Sequence, residues 1–189
     1  ATIIDGEGKD SVIRFAGWDS SILKGFTIQN GAAEYGGGIF ISDSNPTIIN
    51  NVITDNSATD ISGTGVASGG GIYVFNYSKP TIKDNIIKKN TSVCYGGGIY
   101  VFKHSKPFIT DNIIKENSTG IEGGGICLNE SESSIEYNTI NDNQASFGGG
   151  IYLIKSDSVI KGNDILSNIA NNNGGGIYLT SSSPSIKDN

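Results

Sequence analysis

Gly-Gly-Gly-Ile occurs six times in this chain, and the interval between occurrences limits what the chain can fold into. The triplets begin at Gly36, Gly69, Gly96, Gly123, Gly148 and Gly174, at steps of 33, 27, 27, 25 and 26 residues. Self-similarity at a nearly constant period of this length marks a solenoid, in which each unit buries its apolar face against its neighbours. Ile, Val, Thr and Tyr dominate the segments between triplets, apolar and polar residues alternate over short runs, and Asn, Gly and Ser punctuate them. No segment carries the stripe of an amphipathic helix, and the leucine spacing of a leucine-rich repeat is absent. The expected fold is therefore all-β: a right-handed, single-stranded parallel β-helix of about seven coils with three short strands in each.

Composition agrees with an ordered repeat. Eighteen of the 27 glycines lie in the six triplets, so the enrichment is not that of a flexible linker. No apolar run reaches the roughly 18 residues of a membrane span. The net charge of −6 is mild, and lysines are interspersed with acids. Without a basic stripe to neutralise phosphates, nucleic acid is not an expected partner. Cys94 and Cys127 fall at different points of neighbouring coils and are not expected to pair.

The repeat assigns most side chains a place. After each triplet, Ile39, Ile72, Ile99, Ile126, Ile151 and Ile177 point inward, as do Ile41, Val74, Val101, Leu128, Leu153 and Leu179 two residues on. The second strand supplies Ile48, Ile82, Ile109, Ile135, Ile160 and Ile186. The third supplies Ile53, Ile87, Ile114, Ile140 and Ile165. Two asparagine columns stand at bends: Asn51, Asn85, Asn112, Asn138, Asn163 and Asn189, and Asn30, Asn56, Asn90, Asn117, Asn143 and Asn168. Stacked amides there bond along the column and to backbone, a structural role. Thr2 to Phe15 and Ser21 to Asn30 read as earlier, less regular coils with Ile22, Phe26 and Ile28 inward. Residues 1–189 form one domain, and the long first step carries an inserted surface loop over residues 57–68. The chain has no Met and stops inside a repeat, as expected of a piece of something longer; further chain or end-to-end stacking of copies would cover the open coil.

Three segments, TIIDGEGKDSVIRF (Thr2 to Phe15), GFTIQNGAAEYGGGI (Gly25 to Ile39) and PTIKDNIIKKN (Pro80 to Asn90), resemble coils of the pectate-lyase-like superfamily of right-handed β-helices. The Gly-Gly-Ala-Ile repeats of polymorphic outer-membrane adhesins are a more distant likeness. The resemblance covers nearly the whole chain and implies the fold, with an extracellular or cell-surface setting. It implies no single function, because the superfamily holds lyases, hydrolases, epimerases, adhesins and modules without known activity. Members that act on polysaccharides use the outer face of the first strand and its flanking turns.

On that face Phe40, Tyr73, Tyr100, Cys127, Tyr152 and Tyr178 point outward, followed two residues on by Ser42, Phe75, Phe102, Asn129, Ile154 and Thr180. The triplets add no side chains, which suggests a bare backbone shelf edged by aromatic rings. Such a surface suits an extended polysaccharide through Phe40, Tyr73, Phe75, Tyr100, Phe102, Tyr152 and Tyr178, and it equally suits another protein. The turn that follows gathers charge. A uronate lyase needs a base and a cation, often Ca²⁺, on the carboxylate. Lys103 or His104 is the candidate base, and Glu130, Glu132 and Asp157 are the candidate metal ligands. A solvated turn whose charges never converge is the plainer expectation. The paired-Asp, Gly-His-Gly and Arg-x-Lys signatures of polygalacturonases are absent, and the single arginine, Arg14, lies in an early coil. Asp84 and Asp111 stack next to the first asparagine column, where they would share a cation, but Asn50, Tyr137 and Gly162 interrupt them. Three classes stay open: a polysaccharide-binding module, a Ca²⁺-assisted polysaccharide lyase or related enzyme, and a structural solenoid of an adhesin or filament.

Overall fold

The computed structural model describes residues 2–189, and every regular element in it is a strand. No helix among the described residues is long and apolar enough to cross a membrane. All pairings are parallel and hold register from one coil to the next except for one shift between Ala145 and Phe147, and the strands stack into sheets of seven, seven, seven and six strands. The first sheet contains Ile39–Ser42, Ile72–Phe75, Ile99–Phe102, Ile126–Asn129, Ile151–Ile154 and Ile177–Thr180, preceded by Ile13–Ala16. The second and third sheets hold the columns built on Ile48 and Ile53. The fourth, unforeseen in the sequence, is built from short polar strands such as Thr91–Ser92 and Ser118–Thr119 just before the triplets.

The inward columns stack as their spacing requires. Ile39, Ile72, Ile99, Ile126 and Ile151 are fully buried, as are Ile48, Ile82, Ile109, Ile135 and Ile160. In the first coils the register differs from expectation. Leu23 pairs with Ile48 and is 9% exposed, whereas Ile22 points outward and is 70% exposed. The alternation Ile-Leu-Lys offers two apolar residues in a row, and only pairing with the next coil selects between them.

The corners follow one design. A residue in the left-handed region, such as Asp84, Asp111 or Glu116 (φ 54, 56 and 55°), turns the chain, and the asparagine after it ties coils together. Asn112 Nδ2 donates to the carbonyls of Ile82 (2.8 Å) and Thr110 (2.9 Å) and to Asn138 Oδ1 (3.0 Å). Its own Oδ1 accepts from the Asn85 backbone N–H at 2.9 Å. Both asparagine columns are thus backbone ladders, with one exception. Asn30 does not belong to the second column; Gly31 occupies that place, and its N–H donates to Asn56 Oδ1 at 2.9 Å. A third ladder, of buried Ser44, Ser78, Ser105, Ser131 and Ser156, closes the bend between the first and second sheets. The N–H of Ser44 donates to Ser78 Oγ at 3.1 Å, and that of Ser131 to Ser156 Oγ at 3.1 Å.

The glycine triplets prolong the first sheet's ladder. Gly37, Gly70, Gly97, Gly124 and Gly149 each donate to the glycine carbonyl one coil on, at 3.1 to 3.2 Å. A Cβ on Gly98 would lie 2.5 Å from the Gly125 carbonyl oxygen and 3.1 Å from Asn117 Nδ2. The loop is smaller than residues 57–68. Ser57–Ala58 pairs with Thr91–Ser92 in the fourth sheet, and Ser68 bridges Tyr35 and Tyr95. What projects is 59–66, exposed over 61–66, with the Asp60 carboxylate accepting from the N–H groups of Thr64 (3.0 Å) and Gly65 (2.9 Å).

Candidate functional site

Three outward columns converge along the first sheet. Its register stacks Arg14, Phe40, Tyr73, Tyr100, Cys127, Tyr152 and Tyr178 in one line. A parallel line runs Ala16, Ser42, Phe75 and, past Phe102, Asn129, Ile154 and Thr180. The third, just ahead of each triplet, is Tyr35, Ser68, Tyr95, Glu122 and Phe147, joined by single parallel bridges. The sequence reading missed this third column. Its signal was available in the residue immediately before each Gly-Gly-Gly.

The rings do not edge a bare shelf. They fold back across the glycine ridge and meet the column on its far side. Tyr73 lies 5.2 Å from Tyr35 and stacks on Phe40 at 5.6 Å; Tyr100 stacks on Tyr95 at 5.5 Å. Tyr73 and Tyr100 are consequently only 5% and 4% exposed, and the triplet glycines beneath are buried through the middle coils. The first glycine of each triplet must be glycine because it takes a positive φ and turns back on the backbone of the strand that follows. At Gly69 (φ 71°) a Cβ would stand 2.7 Å from the Ile72 carbonyl oxygen and 2.9 Å from Tyr73 Cβ.

What remains open is a trough of about 500 Å³ lined by Tyr35, Phe40, Val66, Ser68, Tyr73, Phe75, Tyr95, Tyr100, Phe102 and Asn129. Phe40, Phe75 and Phe102 present half-buried rings, and Asn129 Nδ2 donates to the Tyr100 hydroxyl at 3.3 Å. Ser68 Oγ, buried at the gap in the third column, has no hydrogen-bond partner among the described residues. Tyr152 and Tyr178 stack on each other at 5.5 Å, with Phe147 5.6 Å from Tyr178, but they lie beyond Cys127 and do not line the trough. Burial pushes the Tyr73 and Tyr100 phenols well above the ordinary tyrosine range. Burial also raises the Glu122 carboxyl, an effect partly offset by the Tyr152 hydroxyl, and raises the Cys127 thiol further, with Glu122 adding to it. Cys94 and Cys127 are both buried free thiols.

The charged turn is a separate hollow of about 680 Å³ bordered by Tyr77, Lys79, His104, Lys106, Glu130, Ser131, Glu132, Lys155 and Asp157. Two neighbouring coils carry one extra residue here. Asn76 and Tyr77, like Lys103 and His104, are paired left-handed residues (φ 54 to 57°), as are Gly17 and Trp18 in the first coil (φ 75 and 72°), where the remaining coils use one. Tyr77 and His104 project and lie 5.3 Å apart. Of the candidate enzymatic residues, His104, Glu130, Glu132 and Asp157 border this one hollow and Lys103 does not. Lys103 Nζ turns to the Phe75 ring, 5.1 Å from its centre. Glu130 is held by Lys155 at 3.1 Å, Glu132 by Lys106 at 2.7 Å, and Asp157 accepts from the Ser183 N–H. Among the described residues no three His, Cys, Asp or Glu side chains form a metal-ligand group, and Glu130, Glu132 and Asp157 are each engaged by another partner. Asp84 and Asp111 are both served by the Lys83 ammonium, at 4.0 and 3.7 Å.

Residues 12–189 match the family model described as a right-handed β-helix region. No curated protein and no solved structure matches the chain.

Proposed function

The chain belongs to the right-handed β-helix family, and we propose that within this fold it is a polysaccharide-binding module of the cell surface or extracellular space. The observation that carries this reading is the trough on the first sheet, in which seven of the ten lining side chains are aromatic. Ring faces in a row pack on the apolar faces of pyranose rings, while phenol and amide groups at the rim take the sugar hydroxyls. A contiguous apolar groove of this kind marks a contact site. The charged turn offers no equivalent support for lyase chemistry, because its two glutamates are each taken by a lysine.

Affinity electrophoresis through gels containing single polysaccharides tests the reading. Phe75→Ala with Phe102→Ala removes two half-buried rings without emptying the core, and we expect at least about tenfold weaker binding, the loss of one to two ring contacts. The thermal midpoint serves as the folding control. Unchanged retention by every gel that retards the wild type sinks the proposal. Retention by protein ligands alone transfers the trough to a protein partner.

A further inference from the structure

The aromatic lining is confined to three successive coils, and both ends of it are closed by polar groups. In the first-strand column the run Phe40, Tyr73, Tyr100 is bracketed in register by Arg14 and Cys127. In the neighbouring line Ser42 and Asn129 bracket Phe75 and Phe102. Arg14 lies over the Phe40 ring, its guanidinium carbon 4.1 Å from the ring centre, so the face that a longer ligand would use next is occupied. At the opposite end Asn129 is tied to the Tyr100 hydroxyl and half-buried Glu122 takes the place of a ring in the third column. The side wall is equally local. In the third column the position between Tyr35 and Tyr95 is Ser68, which has no ring, and Val66 of the 59–66 insertion lines the trough there. This insertion separates the 33-residue step from its neighbours of 25 to 27.

We propose that the trough recognises a short oligosaccharide or a chain end, about three sugar units long at roughly 4.8 Å per coil, and that the 59–66 insertion is its specificity wall. The inference rests on the polysaccharide-binding reading and narrows it. A ligand lying along the axis meets Arg14 after Phe40 and a ringless coil of Cys127, Asn129 and Glu122 after Tyr100, so a fourth unit has no ring to pack on, and the next rings, Tyr152 and Tyr178, stand apart beyond that gap. A volume of about 500 Å³ is that of a small-ligand pocket and not of an open track along all seven coils.

Isothermal titration with oligomers of two to six units, in β-1,4-linked glucose, N-acetylglucosamine and galacturonate series, reads the limit directly. For the series that binds, affinity is expected to rise about tenfold from dimer to trimer, one added ring contact, and to change less than about twofold from trimer to hexamer. Affinity that climbs steadily to the hexamer overturns the length limit and leaves the polysaccharide reading standing. Absence of binding by every oligomer, in a chain that long polysaccharides do retard, also overturns it; absence of both overturns the reading on which it rests. Excising 60–66, which brings this coil to the length its neighbours close at, is expected to lower trimer affinity about tenfold with the fold intact. Val66→Ser is the milder variant should excision prevent folding. Trimer affinity unchanged in a folded variant removes the insertion's role.

Discussion

A single ladder asparagine holds more of the backbone than its own turn. Asn112 bonds three carbonyl or amide oxygens and receives the backbone N–H of Asn85 while 1% exposed. Leu has the right size and none of these groups, so Asn112→Leu leaves several buried polar groups without partners at about 1–3 kcal/mol each. We expect a loss of at least about 3 kcal/mol, read as a lower urea midpoint at an unchanged slope. A loss below about 1 kcal/mol would mean that relaxation or water replaces the ladder. Asn30, one residue from Gly31, shows how narrow the requirement is. Its side chain instead donates to Asp5 Oδ2 at 2.8 Å, on the surface.

Among the elements, the triplets differ most from what their composition suggests. Three consecutive glycines normally mean a flexible chain. Here each N–H of the first five triplets donates to the next coil, and those residues are buried on one side by Asn117 and its equivalents and on the other by the tyrosine column. Hydrogen exchange gives a clear test. The amides of Gly97, Gly98, Gly124 and Gly125 are expected to exchange as slowly as those of Ile99 and Ile126, whereas those of 61–65 exchange quickly. Triplet amides that exchange with the loop would refute the ladder. The turns after the first strand carry the opposite feature. Tyr77 and His104 hold left-handed conformations that cost non-glycine residues about 1–2 kcal/mol each, and no burial offsets it for Tyr77, which is 61% exposed.

Over the whole molecule, each coil touches only the coils before and after it, through four parallel sheets. Stability is then a sum of coil and interface contributions, and cooperativity depends on how strongly the interfaces couple. The two thiols report on this. Cys94 is 3% and Cys127 0% exposed, and they lie in different coils. A thiol reagent is expected to modify neither in the native protein and both together across the urea transition. Labelling of Cys94 well before Cys127 would show that coils open separately.

The repeat by itself determined the inward columns, the parallel register and the asparagine ladders, because those depend on periodicity, and periodicity is written in the chain. It failed where two residues competed for one place, as Ile22 and Leu23 did, or Asn30 and Gly31; pairing with the next coil decides such cases. The candidate site was legible as residue types along one face. Its shape was not. Whether Tyr73 lies out on a shelf or folds back on Tyr35 depends on a column separated from it by a glycine ridge, and whether Glu130 is a ligand or a partner of Lys155 depends on a side chain 25 residues away. Contacts between coils are tertiary, and they turned an aromatic stripe along the sheet into a trough three coils long.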